Sequence, residues 1–242
     1  MSEPENMLDV RGINAFYGRA HILYDVSLNV RPGEVVALLG RNGAGKSTTI
    51  KSIMRLVRCD SGSVHFEGRD ISRAPPHRIA RSGLGYVPED RRIFGDLTIM
   101  ENLEVGRQRA RDGAPQWTTE KLFELFPNLR ERAQNLGRQM SGGEQQMLTI
   151  ARTLMGNPRL VLLDEPTEGI QPSIIDEIVE TLHALRQKRD LTVVLVEQNL
   201  DFIAELADRV LIIQKGAFTK TLEPSQLADV EMVGEFVGFG AG

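Results

Sequence analysis

Two hydrophobic rhythms alternate along the chain. From residue 8 to residue 30 the pattern is strand-like. Within residues 23–30 the apolar positions Val26, Leu28 and Val30 alternate with polar ones, as in an antiparallel strand with one wet face. Arg31-Pro32-Gly33-Glu34 reads as a turn. The run Val35–Leu39 is apolar throughout and predicts a buried strand, and residues 47–54 predict a helix behind it. Residues 63–68 form another short strand and turn, returning to the antiparallel sheet, so an antiparallel layer is expected beside a parallel core. Over residues 79–139 the apolar spacing becomes mostly helical, with Pro115 and Pro127 as breaks, which predicts a mainly helical insertion. The last third alternates again. Residues 160–163, 192–196 and 210–213 are short continuous apolar runs, the mark of parallel strands covered on both faces. Between the first two, Ile174, Ile175, Ile178, Val179, Leu182 and Leu185 recur at helical spacing behind Pro172. That is βαβ architecture.

Composition narrows the class. The 242 residues are 41% hydrophobic, enough for a substantial core. They are expected to form one α/β domain with a helical subdomain over about 79–139 and a short tail over about 222–242. The net charge of −4 gives no electrostatic case for nucleic acid. The single cysteine, Cys59, excludes a disulfide framework and fits a reducing compartment. His21, His65, His77 and His183 show no ligand spacing. No apolar stretch approaches the roughly 20 residues that span a bilayer, and the acidic N-terminus lacks a signal-peptide pattern. The expectation is a soluble, cytosolic protein unless another chain holds it at a membrane. Arg78, Arg81, Arg91, Arg92, Arg107, Arg109 and Arg111 form either a solvated face or a partner-docking surface.

Three short segments carry the chemistry. Gly40-Arg41-Asn42-Gly43-Ala44-Gly45-Lys46-Ser47-Thr48 fits the phosphate-binding loop G-x-x-x-x-G-K-[ST], between a predicted strand and a predicted helix. Glycines let successive backbone N–H groups turn toward a phosphate, and the helix N-terminus adds partial positive charge. Lys46 then contacts the terminal phosphates and the Ser47 hydroxyl is a Mg²⁺ ligand. The strand at 160–163 leads to Asp164 and Glu165, at the edge where open α/β sheets bind ligands. An acidic residue there can hold Mg²⁺ opposite Ser47, and Glu165 is placed to polarise a water for in-line attack on the γ-phosphate. In Met140-Ser141-Gly142-Gly143-Glu144-Gln145-Gln146, Ser141 and Glu144 have capping-box spacing, which predicts a helix running to Met155. Its start is a second potential anion site, expected to serve a nucleotide held by another molecule.

The order and spacing of these segments resemble the nucleotide-binding subunit of ABC transporters over nearly the whole chain. The resemblance implies an ATP hydrolase with ATP and Mg²⁺ as cofactors. It also implies a head-to-tail dimer, in which Ser141-Gly142-Gly143 of one subunit completes the site formed by Lys46 of the other. Tyr17 stacks on adenine by the same resemblance, or else is a plain strand aromatic, and residues 168–172 cross the dimer interface. Three positions depart from the common pattern. Glu89 stands where most members carry a glutamine that senses Mg²⁺ and the transmembrane partner, and a carboxylate can still bind either the ion or water. Gln198 stands where a γ-phosphate-sensing histidine is usual; an amide can hydrogen-bond phosphate or water but cannot act as a base near neutral pH, which favours Glu165 in that role. Glu144 replaces a glutamine, and its capping role explains a carboxylate so near a phosphate.

Pro88-Glu89, Ser-Gly-Gly-Glu-Gln-Gln, Asp-Glu-Pro-Thr-Glu-Gly-Ile and Val-Glu-Gln-Asn together look like the ATPases of bacterial branched-chain amino acid importers, or of the sister group importing urea or short amides. The implied partners are two transmembrane permease subunits, a paralogous ATPase or a second copy of this chain, and indirectly a periplasmic solute-binding protein. No nucleic acid is expected, and the implied location is the cytoplasmic face of the inner membrane. The helical insertion, from near Glu89, is expected to dock a short permease helix. A soluble ABC ATPase acting on ribosomes or DNA is the competing class, and a small-molecule kinase leaves Ser141 to Gln146 without a role.

Overall fold

The computed structural model describes residues 6–109, 116–187, 191–229, 233, 234 and 236. In chain order the elements are β1 (Leu8–Tyr17), β2 (Ala20–Val30), β3 (Val35–Leu39), α1 (Lys46–Ile53), β4 (Cys59–Phe66), β5 (Arg69–Asp70), α2 (Pro76–Ser82) and β6 (Leu84–Val87). Then come α3 (Ile99–Gly106), α4 (Thr119–Leu125), α5 (Pro127–Glu131), a 3-10 turn (Gly137–Gln139), α6 (Gly142–Leu154), β7 (Leu160–Asp164) and α7 (Pro172–Gln187). Next come β8 (Thr192–Val196), α8 (Leu200–Leu206), β9 (Arg209–Gln214), β10 (Ala217–Leu222) and a 3-10 turn (Pro224–Ala228). Two compact units emerge, one from residues 1–79 with 192–242, the other from residues 80–191.

In the first unit β1, β2, β4 and β5 form an antiparallel sheet in the order β2-β1-β4-β5. The alternation read in residues 23–30 is real: Val26, Leu28 and Val30 are buried while Asp25 and Ser27 are exposed. β3 lies between β8 and β9, parallel to both, and β10 folds back antiparallel on β9. All five residues of β3 and all five of β8 are buried. Burying an aliphatic side chain of this size contributes about 1.5–3 kcal/mol, so these strands hold the unit together. The Arg209 guanidinium joins β9 to the β2–β3 turn, meeting Glu34 Oε1 at 3.0 Å and the Asn29 carbonyl at 2.6 Å. Strand β4 begins at Cys59, ahead of the expected start. Its first residues are polar and carry no apolar alternation, and they extend because they pair with β1, Ala15 opposite Cys59.

In the second unit β6 and β7 run parallel, from Leu84 opposite Leu160 to Val87 opposite Leu163. β6 is a strand inside the stretch expected to be mainly helical, because four residues between α2 and Pro88 are too few to show a period. β7 is buried along its length. Helix α6 packs against α3, α5, α7 and β6. Pro127 marks a boundary, as expected: it opens α5 just after α4 ends. The buried Asn102 of α3 fixes the preceding loop, accepting from the Phe94 N–H at 2.9 Å and donating to the Phe94 and Thr98 carbonyls at 2.9 and 3.0 Å. Of the arginines expected on a solvated or docking face, Arg78, Arg81, Arg92, Arg107 and Arg109 are exposed, but Arg91 is half-buried. Arg111, Pro115 and most of the expected tail beyond residue 229 lie outside the described residues.

Candidate nucleotide site

The first unit contains the phosphate loop. β3 delivers the chain to Gly40, the loop turns through Arg41 to Gly45, and α1 begins at Lys46. Arg41, Asn42 and Gly43 form an exposed lip, while Gly40, Ala44, Gly45 and Lys46 are buried and Ser47 and Thr48 are half-buried. Gly45 sits at φ 112°, a conformation strained for any residue with a Cβ, and it serves as the helix N-cap with no side-chain hydrogen bond. The first turn of α1 holds no acidic residue. Its N–H groups therefore face the loop without a carboxylate competing for them, an arrangement suited to an anion. The Lys46 amine is folded across the loop, 2.9 Å from the Gly40 carbonyl and 3.4 Å from that of Arg41.

Two further contacts shape this loop. Gln198, beyond the end of β8, donates from Nε2 to Asn42 Oδ1 at 2.8 Å. The buried Glu197 holds that corner by accepting from the Gln198 and Asn199 backbone N–H groups at 2.7 and 3.0 Å. The β9–β10 turn supports the loop from behind: the Gly216 N–H donates to the Ala44 carbonyl at 2.8 Å, and the Tyr24 N–H donates to the Gly216 carbonyl at 2.8 Å. Only glycine fits there, since φ is 79° and a Cβ would lie 1.9 Å from the Ile22 carbonyl oxygen. Tyr17 ends β1 with half its surface exposed, 51%, open for stacking. Beside it Phe16 stacks on His21 with ring centres 4.1 Å apart.

The second unit contains the acidic and signature segments. Asp164, the last residue of β7, is fully buried, and its Oδ2 accepts from the Tyr86 hydroxyl at 3.0 Å. Burial pushes the Tyr86 phenol well above its ordinary value, and the Asp164 charge and hydrogen bond add to the effect, so Tyr86 stays a donor. Glu165 follows, half-buried, at φ 46°. A non-glycine residue there costs about 1 kcal/mol or more, and such strain concentrates at functional positions. Glu89 is exposed. Ser141 caps α6 as expected: its Oγ accepts from the Glu144 N–H at 3.3 Å, and Glu144 Oε2 accepts from the Ser141 N–H at 2.8 Å. An ion pair from Arg132 at 3.0 Å supports the Glu144 carboxylate. Ser141 is exposed and Gly142 half-buried, whereas Gly143 is buried against Ile174, leaving no room for a Cβ.

Sequence reasoning placed each of these segments but gave no role to Tyr86 or Glu197, and read Arg91 only as part of a solvated face or a docking surface. Tyr86 was legible only through β6: once Leu84–Val87 is read as a strand beside β7, its hydroxyl falls at the acidic strand end.

Oxygen donors predominate here. Among the described residues no group of three or more His, Cys, Asp and Glu forms a ready metal cage. The carboxylates at the end of β7 are hard oxygen donors of the kind that suits Mg²⁺.

Known proteins share both pattern and fold. A family profile described as ABC transporter matches residues 23–168. The chain is 43% identical over 210 residues to the high-affinity branched-chain amino acid transport ATP-binding protein BraG of Pseudomonas aeruginosa, spanning 87% of this chain and 90% of that one. It is 37% identical over 230 residues to the lipopolysaccharide export system ATP-binding protein LptB of Haemophilus influenzae, spanning 94% and 95%. A solved nucleotide-free ATP-binding cassette from an ABC transporter superposes with a TM-score of 0.79 at 25% identity, covering 93% of this chain and 94% of that one. Phosphate loop, capped Ser-Gly-Gly helix and acidic strand end thus lie within a shared fold, and the chain belongs to the ABC transporter family as one of its ATP-binding, ATP-hydrolysing subunits.

Proposed function

We propose that this chain powers a bacterial importer of branched-chain amino acids from the cytoplasmic face of the inner membrane. The observation that carries the proposal is its likeness to BraG over nearly the whole of both chains, joined to the local sequences around Glu89, Ser141, Asp164 and Gln198. Among the described residues no helix is long and apolar enough to cross a membrane, which agrees with a subunit held there by separate permeases. The partners in this proposal are two permease subunits, a paralogous ATPase or a second copy of this chain, and indirectly a periplasmic solute-binding protein.

Each residue has a defined task. Lys46 exchanges its hold on the Gly40 and Arg41 carbonyls for phosphate oxygens, and the N–H groups of Asn42, Gly43, Ala44, Gly45, Ser47 and Thr48 line the same loop. Ser47, Asp164 and Glu89 hold Mg²⁺ directly or through water, and the ion supplies neutralisation of charge on the phosphates. Tyr17 stacks on the adenine. Glu165 takes the proton of the attacking water, and Gln198, steadied by Asn42 and Glu197, orients that water or a phosphate oxygen. Ser141, Gly142 and Gly143 present the start of α6 to the nucleotide held by the other subunit.

Reconstitution with permeases and a receptor of a branched-chain amino acid importer, in proteoliposomes with ATP on the ATPase side, tests the substrate. ATP-dependent leucine uptake is expected. Stimulation by urea or a short amide instead moves the chain to the sister group. A second reading has its own observation, the likeness to LptB. Stimulation by lipopolysaccharide, with no amino acid uptake, replaces the importer by that exporter.

A further inference from the structure

We propose that Arg91 is a positioning residue that ties the segment following Glu165 to the signature helix and to the loop after Glu89. Arg91 and Arg92 both sit at positive φ, 61° and 43°, so something must hold this pair of bulky residues in a conformation they do not favour. Helix α6 does so from one face. Thr149 Oγ1 lies 2.6 Å from the Arg91 carbonyl and 2.8 Å from the Gln145 carbonyl, sharing one proton between them. One turn further, Arg152 Nη2 donates to the Arg92 carbonyl at 2.6 Å, while its guanidinium lies 5.0 Å from the centre of the Phe94 ring.

This twisted backbone brings the half-buried Arg91 side chain to the two segments that matter most in the proposed function. Nη2 donates to the Glu168 carbonyl at 3.1 Å. Nη1 lies 2.6 Å from where a Cβ on Gly142 would stand, and Nη2 lies 3.5 Å from the corresponding point on Gly169. The guanidinium therefore fills the space that the missing side chain of Gly142 leaves open, and it passes Gly169 at ordinary contact distance. A cation beside a helix N-terminus is electrostatically unfavourable, so helix stability does not explain its place. Its planar fork does: one face touches the capped start of α6 while one arm holds the backbone three residues after Glu165. A displacement of the loop between Glu89 and Phe94 is thereby transmitted to the segment carrying the catalytic glutamate. The inference rests on the roles assigned above to Glu165 and Ser141.

Arg91→Ala, Arg91→Lys and wild type, each in the assembled transporter, decide it. In Arg91→Ala, kcat for ATP hydrolysis is expected to fall about tenfold with KM for ATP within about twofold, because the loss is in positioning and not in ground-state binding. Arg91→Lys should recover part of kcat, since an ammonium can still donate to the Glu168 carbonyl but cannot reach both segments. Amide hydrogen exchange over residues 168–171 should quicken about tenfold in Arg91→Ala, with exchange in the core strand β7 unchanged. Unchanged exchange at 168–171 overturns the tether whatever the activity, and faster exchange throughout β7 overturns it in favour of a general packing role. Wild-type kcat in Arg91→Ala overturns its link to turnover. No phosphate release from wild type counts against the assigned chemistry of Glu165, and the exchange comparison still decides whether Arg91 holds the segment.

Discussion

At the residue scale the acidic strand end depends on a neighbour that touches no nucleotide in the proposed scheme. Tyr86 donates to a fully buried Asp164 carboxylate, which holds that side chain in one orientation at the end of β7, where the proposed scheme places Mg²⁺. Tyr86→Phe should therefore raise the Mg²⁺ concentration at half-maximal ATP hydrolysis by about tenfold while leaving the fold intact. A Mg²⁺ titration that overlays wild type would show the hydroxyl to be idle. Glu165→Gln should keep ATP binding but nearly abolish turnover, and undiminished phosphate release would remove Glu165 as the base. Lys46→Ala should weaken binding itself, read as a higher Kd for a fluorescent ATP analogue. The phosphate loop was legible because its chemistry demands fixed spacing of Gly40, Gly45, Lys46 and Ser47. Tyr86 and Glu197 were not, since a hydroxyl or carboxylate that works through a neighbour carries no spacing of its own.

At the scale of elements, legibility followed period and caps. β3, β7 and β8 are continuous apolar runs because both faces are covered, and each was expected at nearly its observed bounds. β6 and the start of β4 escaped because their strand character comes from pairing with β7 and β1, which no local pattern records. Helix α6 was announced by Ser141 and Glu144, and the reciprocal cap is there. Ser141→Ala should cost about 1 kcal/mol of stability, read as a lower denaturation midpoint at unchanged slope. Helix α3 has the same device in Thr98 and Glu101. The Thr98 backbone N–H, and after it the Thr98 hydroxyl, hold the Glu101 carboxyl below its ordinary value of 4.5. A folded-state value depressed in this way adds stability above the ordinary value and loses it as pH falls through the depressed one. Amides in the first turn of α3 should therefore exchange faster as pH drops below 4.5, after correction for intrinsic rates, and Glu101→Gln should flatten that trend.

At the scale of the whole molecule the proposed scheme needs two copies, or this chain and a paralogue, to complete each nucleotide site. Glu165→Gln with Mg²⁺ and ATP should accumulate a dimer in sedimentation or size-exclusion measurements. Ser141→Arg should stop that association while monomer ATP binding persists, and loss of both would mean the segment is structural. The transported solute was never legible, because no residue of this subunit touches it in the proposed assembly. The glycine behind the phosphate loop has a wider consequence. Gly216 hands the backbone of β2 directly to the backbone at Ala44, while β2 pairs with β1 up to Tyr17. The span from the Tyr17 backbone to the phosphate loop is thus set in the main chain, and in the proposed scheme that fixed separation spaces the adenine end of the pocket from the phosphate end.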